Sequence, residues 1–244
     1  MSPRAIARVF ADLVGHLFRL LPRRWRFGAA RRIALTLAPL LRRTRYYARR
    51  NSLIDGHREE ALRIVLRCMI RSGVAFDPAM LVHGGELVPR GSAFLFTGHF
   101  LLNNVMITRW LHDRGERITW FVAGPREPMF YGGTRVPLEV LQRGTAALLR
   151  ARRLLAEGQK VLAGFEEVNP HEDSIPVETA AGVRHVTPAL ARFAARLEVP
   201  VLFAATHFHD DGRVVVTFAR PSSNETLVAE FCEFLRAHTA AIRR

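Results

Sequence analysis

The chain has 244 residues, a formal net charge of +14 and 49% hydrophobic residues. This length supports a sizeable buried core, and this hydrophobic content excludes an intrinsically disordered chain. The two cysteines, Cys68 and Cys232, lie in helix-like sequence without metal-ligand spacing, which favours reduced core residues in a reducing compartment over disulfides or a zinc site.

Positive charge is concentrated in the first 50 residues, which hold thirteen arginines and one acid, Asp12. The rest of the chain is therefore close to neutral. Apolar residues recur at helical spacing from Ile6 to Leu21, and Pro22 ends this predicted helix. A second amphipathic stretch follows from Arg31 to Arg45. Neither stretch reaches 18 uninterrupted apolar residues, and arginines interrupt any signal-peptide pattern, so we expect neither a transmembrane helix nor a secretory signal.

Three interpretations are open for these basic amphipathic helices. They can pack on the protein's own core, or lie on an anionic membrane surface with arginines on phosphates and apolar side chains in the acyl boundary. A nucleic-acid partner is the third interpretation, but no zinc-finger, RNP-like or aromatic-stacking motif supports it. We therefore expect no nucleic-acid partner.

The central stretch combines a strand, a histidine and a helix. After a predicted helix at His57–Arg71, the apolar run Ala93–Phe96 predicts a fully buried strand, and Asn103–His112 shows helical spacing. His99 lies where the strand stops. Because a five-residue gap is about 500° of helix, His99 and Asn104 can meet only if His99 is in the turn and Asn104 in the first helical turn. The carboxyl ends of strands in open α/β sheets are where ligands bind.

The segment TGHFLLNN resembles the histidine-x4-acid box of the lysophospholipid acyltransferase superfamily, in its bacterial lipid A late-acyltransferase (lauroyl/myristoyl acyltransferase-like) branch. The match covers Thr97, His99 and Phe100, whereas Asn104 stands where the family has Asp or Glu. The resemblance implies the glycerolipid acyltransferase fold over most of the chain. It also implies acyl transfer from a thioester, with His99 as general base and Asn104 as its orienting partner.

The Asn104 substitution bears directly on this chemistry. Acyl transfer from a thioester needs a base for the acceptor's proton, and histidine suits that role near neutral pH. The Asn104 carbonyl oxygen can accept a hydrogen bond from the imidazole, but it supplies no negative charge. Replacing the triad Asp of serine proteases by Asn costs about 10⁴-fold, whereas Cys-His-Asn proteases work with an amide. Both an active and a degenerate enzyme therefore remain open.

A candidate anion-binding residue follows the next strand. Ile118–Ala123 predicts a second buried strand, and Arg126 lies in the loop behind it. A guanidinium presents a bidentate fork to phosphate or carboxylate, although a surface ion pair with Glu127 would also explain this arginine. In the family a loop at this point carries substrate-binding residues, including arginine, so the resemblance favours substrate binding.

Two adjacent carboxylates follow the third predicted strand. An amphipathic helix, Gly144–Gly158, leads to the strand Lys160–Phe165, and Glu166 and Glu167 come directly after it. Paired acids at a strand end are often a solvated turn. The resemblance implies an acidic motif here, so we expect these two residues to line the acceptor pocket, where one of them positions the acceptor or partly offsets the charge missing at Asn104.

The last third of the sequence completes the alternation. Asn169–Arg184 predicts a long polar loop that can act as a flap over the site. A helix that begins at Pro188 leads to a fourth buried strand, Val201–Ala205, which is followed by a return strand and a terminal helix. His207 and His209 alternate along this strand as metal ligands would, but no third ligand is nearby, so we expect no metal.

Strands that alternate with helices predict an α/β fold with a largely parallel central sheet flanked by helices. We expect a basic amphipathic helical region at residues 1–50 and an acyltransferase-like α/β domain at 51–244, integrated as one domain. The resemblance implies an acyl-carrier protein or CoA thioester as donor, a hydroxyl or amine of a membrane-associated lipid or glycolipid as acceptor, and no tightly bound cofactor.

The expected location is the cytoplasmic, inner face of the cell membrane, with peripheral attachment. Acyl-carrier proteins are acidic, so the basic helices could steer a carrier as well as a bilayer. The alternative to an enzyme is a degenerate acyltransferase-like protein that binds lipid or acyl carrier without turnover. A third hypothesis is that Asn104 is an engineered substitution in an active enzyme.

Overall fold

The computed structural model describes residues 12–42, 57–98, 103–122, 130–131, 134–135, 139–142, 144–167, 171–180, 182–209 and 213–241. The helices in these ranges are α1 (12–19), α2 (Arg23–Arg42), α3 (His57–Arg71), α4 (Asn103–Asp113), α5 (Thr145–Ala156), α6 (Pro188–Ala194) and α7 (Leu227–Ala241). The strands are β1 (Met80–His83), β2 (Ala93–Thr97), β3 (Ile118–Val122), β4 (Phe130–Tyr131), β5 (Thr134–Arg135), β6 (Glu139–Gln142), β7 (Lys160–Gly164), β8 (Glu166–Glu167), β9 (Ile175–Thr179), β10 (Gly182–Val186), β11 (Val201–Phe208) and β12 (Val214–Ala219).

The main sheet is mostly parallel. Its seven strands have the order β1-β12-β11-β2-β7-β3-β6. The five neighbours β11, β2, β7, β3 and β6 all run in the same direction. β12 is antiparallel to β11, and β1 runs parallel to β12. The predicted α/β class, with a largely parallel sheet flanked by helices, is confirmed.

Strand β2 lies in the middle of this sheet and is buried on both faces. Ala93 and Leu95 belong to one hydrophobic core, whereas Phe94 and Phe96 belong to the other. Successive side chains of a strand point to opposite faces, so a continuous apolar run is what a sheet covered on both sides requires.

Helices cover the two faces of the sheet as separate layers. One core combines buried side chains of α2, α3 and α4 with alternate strand residues. The second core contains buried side chains of α5, α6 and α7. Because crossover helices join parallel strands, both faces of such a sheet are covered. Ligands therefore bind at the ends of the strands.

A β-hairpin occupies the stretch where a polar loop was predicted, so that prediction is wrong for this part of the chain. β9 and β10 pair antiparallel, and β10 also pairs with the short β8. Val177 and Val186 are buried at this hairpin, which attaches it to the core through few apolar residues. Because most of the other side chains of the hairpin are polar or small, periodicity alone did not reveal the strands.

β1 and β6 were not predicted from the sequence. These are the two edge strands of the main sheet. Both strands have only four residues, and the side chains of β1 are half-buried or exposed. β1 reads MLVH and β6 reads EVLQ, so each mixes polar and apolar residues within four positions.

The described part of the basic N-terminal region packs on the protein's own core. Phe18 of α1 is buried, as are Phe27, Ala30, Ala34 and Ala38 along one face of α2. These residues share a core with α3 and the main sheet. Among the helices that the structure describes, none is long and apolar enough to cross a membrane.

Several arginines of this region bind the protein rather than an external anion. Arg26 donates to the carbonyl oxygens of Leu21 and Ala75, each at 2.9 Å. Arg23 forms an ion pair with Asp77 at 2.6 Å, and Arg109 of α4 donates to the same carboxylate. Burial alone would raise the pKa of Asp77, but the hydrogen bond and charge of Arg109, together with Arg23, lower it overall. The start of α2 is thus fixed to the loop after α3.

Candidate functional site

The candidate site is the edge of the sheet at which the five parallel strands end. β2 ends at Thr97, β3 at Val122 and β7 at Gly164, and the strand pairing brings these three ends together. In open α/β sheets, ligands bind at the carboxyl ends of the strands. The segments that carry the predicted site residues leave the sheet at this common edge.

The histidine box begins at the end of β2. Thr97 is buried and is the last residue of the strand, and α4 begins at Asn103. The backbone of Asn104 therefore lies in the first turn of α4, as the spacing argument predicted. His99 and Phe100 lie outside the described residues, so the contact between His99 and Asn104 stays a prediction.

Arg126 also lies outside the described residues. The strand before it is described as far as Val122, at the same edge as the end of β2. The next described residues are Phe130 and Tyr131, which form β4 and pair with β5. The proposed role of Arg126 in binding an anionic group stays a prediction.

The end of β7 is held next to the end of β2 by backbone hydrogen bonds. The Phe165 N–H donates to the Thr97 carbonyl oxygen at 2.8 Å, and the Thr187 N–H donates to the Phe165 carbonyl oxygen at 3.1 Å. The Phe165 ring stacks on Phe96 with centroids 4.3 Å apart. Glu166 therefore directly follows Phe165, a residue that contacts β2.

Glu166 forms a buried ion pair. Its Oε1 accepts a hydrogen bond from Nη1 of Arg184 at 2.6 Å, and both side chains are almost completely buried. β8 pairs with β10, with Val186 opposite Glu166, so the pair lies across two neighbouring antiparallel strands. Glu167 follows in β8, where its backbone is opposite His185, and its side chain is outside the described set.

The ion pair changes what the Glu166 carboxylate can do. An opposite charge within hydrogen-bond distance compensates the carboxylate, and burial keeps solvent away from it. Arg184 was assigned to the predicted polar loop, and its role was missed. The available signal was an arginine within the strand-like sequence GVRHV, where a charged residue on an apolar face needs a partner.

A second buried ion pair lies at the opposite edge of the sheet. Nζ of Lys160, the first residue of β7, contacts Oε2 of Glu116 at 2.6 Å and the Gly91 carbonyl oxygen at 2.8 Å. Burial lowers the pKa of Lys160, and the hydrogen bond and charge of Glu116 oppose that shift. This pair joins the starts of strands and is remote from the edge where the predicted site residues lie.

A group of histidines surrounds the end of β11, which continues four residues beyond Ala204, its last partner position with β2. The rings of His207 and His238 have centroids 6.4 Å apart. Burial lowers the pKa of His207, and the neighbouring His238, His209 and His83 lower it further. Within the ranges that the structure describes, no three His, Cys, Asp or Glu side chains form a metal-binding group.

Comparison with protein-family models gives no family that matches this chain, and comparison with curated proteins gives no match.

Proposed function

We propose that this protein is an acyltransferase of the lysophospholipid acyltransferase type, similar to the bacterial lipid A late acyltransferases. It moves a fatty acyl group from an acyl-carrier protein or acyl-CoA thioester to a hydroxyl or amine of a membrane-associated lipid or glycolipid. It acts at the cytoplasmic, inner face of the cell membrane as a peripheral protein, and it uses no metal or tightly bound cofactor.

The end of β2 and the start of α4, which lie on either side of His99 in the chain, are the observation that carries this proposal. β2 ends at Thr97 in the centre of a parallel sheet, and the backbone of Asn104 is in the first turn of α4. His99 and Asn104 are five positions apart, so the two can face each other only when Asn104 is in the first turn of the helix, as it is in α4. The carboxyl edge of the sheet is also the expected place for a ligand.

In the proposed reaction, His99 takes the proton of the acceptor hydroxyl or amine as the acceptor atom attacks the thioester carbonyl carbon. The tetrahedral intermediate then expels the thiolate, and the protonated imidazole returns the proton to the sulfur. The acyl–sulfur bond is broken and an ester or amide bond is formed, with no net redox change. The Asn104 side-chain oxygen orients the imidazole by accepting its N–H.

Arg126, Glu166 and Glu167 complete the proposed acceptor pocket. Arg126 binds an anionic group of the substrate through its guanidinium fork. Since Glu166 is compensated by Arg184, its carboxylate is better suited to holding the β8–β10 sheet at the site than to replacing a full negative charge. Glu167 is then the carboxylate left to position the acceptor.

The test is acyl transfer with purified protein, acyl-CoA and acyl-carrier donors, and a panel of lipid acceptors. We expect turnover that falls by about 10²–10⁴-fold in His99→Ala, because a general base contributes that much. His112→Ala is the matched control, since His112 is exposed in the last turn of α4, at the opposite end of that helix from Asn104. If His99→Ala retains full activity, His99 is not the base. If Glu166→Gln and Glu167→Gln both leave transfer unchanged, neither carboxylate acts on the acceptor.

Asn104 favours a second candidate, a degenerate acyltransferase that binds lipid or acyl carrier without turnover. Asn104→Asp and Asn104→Glu distinguish the two candidates in the same assay. Turnover in the wild-type protein supports an active His/Asn site. Turnover that appears only in the acidic variants supports a fold that has kept the chemistry in a chain that has lost it. In the Ser-His-Asp triad of serine proteases, an Asp-to-Asn change costs about 10⁴-fold.

A further inference from the structure

The described N-terminal helices carry most of the exposed large apolar side chains. Within the described ranges, seven of eleven such side chains lie between residues 13 and 40, although these residues are a small part of the chain. We define them as the outer apolar face: Leu13, Leu17, Leu20, Trp25, Ile33, Leu35 and Leu40. Scattered exposed apolar residues are normal in a folded protein, but a concentration of this size indicates an interaction surface.

Helical geometry shows that these exposed side chains lie on outward-facing sides of the helices and not on the sides that pack against the core. Leu13, Leu17 and Leu20 have i, i+4, i+7 spacing, so they share one face of the α1 segment, whereas Phe18 is buried. In α2, Trp25, Ile33 and Leu40 also fall within one face at 100° per residue. The core-facing residues of α2 lie on the opposite side, where the alanines allow a close approach to α3.

The charge around the outer apolar face selects its partner. Residues 12–42 contain seven arginines and a single acid, Asp12. Arg24 and Arg32 are exposed, and the Arg24 guanidinium lies 5.5 Å from the centre of the Trp25 ring. Large apolar side chains between arginines match an anionic bilayer, whose interface accepts both the rings and aliphatic groups and the guanidinium charges.

We propose that the outer apolar face docks on an anionic lipid bilayer, with α1 and α2 lying in the plane of the membrane interface. An acidic carrier protein would attract the arginines through charge, whereas an anionic bilayer interface accepts both the arginines and the seven exposed apolar side chains. The face belongs to helices that cover the same side of the sheet as α4, which carries Asn104. This orientation deepens the proposed function, because it brings a bilayer-resident acceptor to the side of the sheet on which α4 lies.

Vesicle binding tests the docking surface without any acyl donor, so its result is independent of whether the protein turns over. The full chain is sedimented with vesicles of phosphatidylcholine alone and of phosphatidylcholine mixed with phosphatidylglycerol. We expect binding to the anionic vesicles, weakening as ionic strength rises. Arg24→Gln and Arg32→Gln should each weaken this binding by about fivefold, the value expected for one basic residue near an anionic surface.

A matched pair of triple variants separates the outer apolar face from exposed apolar area in general. Leu17→Gln, Ile33→Gln and Leu40→Gln remove side chains that are 57%, 43% and 59% exposed. The control triple, Leu149→Gln, Ile175→Gln and Val183→Gln, removes side chains that are 58%, 38% and 49% exposed elsewhere. We expect the first triple to bind anionic vesicles at least about tenfold more weakly and the control to bind as the wild type.

Trp25 provides a measurement that does not depend on how the triple variants fold. On vesicle binding its fluorescence should shift to shorter wavelength and be quenched by brominated lipid, and Trp25→Phe should remove both effects. Trp120 is buried in the core and Trp110 is half-buried against Phe218, so Trp25→Phe also supplies the background signal of these two residues.

Three outcomes overturn the proposal. The wild type fails to bind anionic vesicles at low ionic strength, or the two triples lose binding equally, or Trp25 is not quenched in bound protein. Sedimentation velocity without vesicles tests the two other candidate partners of the outer apolar face, a second copy of the chain and an acidic carrier protein. A dimer that is lost only in the first triple identifies a second copy of the chain as the partner, and complex formation with an acidic carrier that is lost only there identifies the carrier.

Discussion

The buried pair Glu166–Arg184 makes a strong prediction about stability. In Arg184→Met the Glu166 carboxylate is left in a site where its side chain is 0% exposed, and in Glu166→Met the guanidinium is left in the same position. Removing one partner of a buried pair costs about 3–5 kcal/mol, whereas exposed pairs contribute about 0–1 kcal/mol. The burial of both partners puts this pair in the first class.

The assay is urea unfolding followed by circular dichroism, with thermal melts beside it. Each single variant should lose about 3–5 kcal/mol in the free energy of unfolding, which lowers the Tm by about 6–20 °C for a chain of this size. In the double variant neither charge remains, and the methionines fill similar space. The double variant should therefore be markedly more stable than the sum of the two single losses predicts, with a coupling energy of about 2 kcal/mol or more.

Additive losses would refute this reasoning. If the double variant loses the sum of the two single values within about 0.5 kcal/mol, the two side chains do not interact across β8 and β10. If Arg184→Met alone costs less than about 1 kcal/mol, the guanidinium is not compensating a buried charge.

Three further predictions concern other parts of the fold. Lys160→Met should lower the free energy of unfolding by about 3 kcal/mol, because it removes the ion-pair partner of Glu116. Turnover per folded molecule should stay unchanged, because this ion pair is remote from the predicted site. A change in turnover would contradict the prediction. Burial keeps the folded-state pKa of His207 below the ordinary 6.5, so the folded state binds fewer protons than the unfolded state, and stability present above pH 6.5 is lost as the pH falls through that value toward the folded pKa. In urea unfolding measured over a pH series, the stability of His207→Gln should therefore decline less steeply than that of the wild type. An identical decline would exclude His207 as a contributor. Gly84→Ala should destabilise the protein by more than about 1 kcal/mol, because φ is +69° and the new Cβ would lie 2.2 Å from a backbone carbonyl oxygen of β12. Gly91→Ala, at φ +98°, meets open space and should cost less. If the two variants melt at the same temperature, the close contact at Gly84 is relieved by a shift elsewhere.

Local sequence pattern predicted the central elements of the sheet and most of the helices. The apolar run at β2 is required wherever a strand is covered on both faces, and the same holds for β3, β7 and β11. Thr187 and Pro188 marked the start of α6 because a proline at the first helical position has no N–H to leave unpaired. These features depend on neighbouring residues alone, so they are visible in the sequence.

The hairpin β9–β10 and the edge strands β1 and β6 were not visible in the same way. The edge strands β1 and β6 pair with β12 and β3, and the hairpin pairs through β10 with β8, so these short sequences of mixed polarity become strands only in their tertiary setting. Likewise, the sequence predicted Glu166 as one of two adjacent acids that line the acceptor pocket, but in the fold its carboxylate is half of a buried ion pair. The partner, Arg184, is 18 positions away and reaches it only because β8 and β10 are adjacent.

The basic N-terminal region shows the same division. The sequence by itself determined that residues 1–50 are strongly basic and that their helices are amphipathic, because charge and periodicity are properties of composition and order. Only the tertiary structure decided which side of each helix is buried, since Phe27 and the alanines of α2 meet α3 while Trp25 and Leu40 remain in solvent. It also decided which arginines are already bound to the protein: Arg23 and Arg26 contact the loop after α3, a segment about fifty residues away in the chain. Such contacts form only when the chain has folded, because they depend on which distant backbone and side-chain groups the packing of the core brings within hydrogen-bond distance.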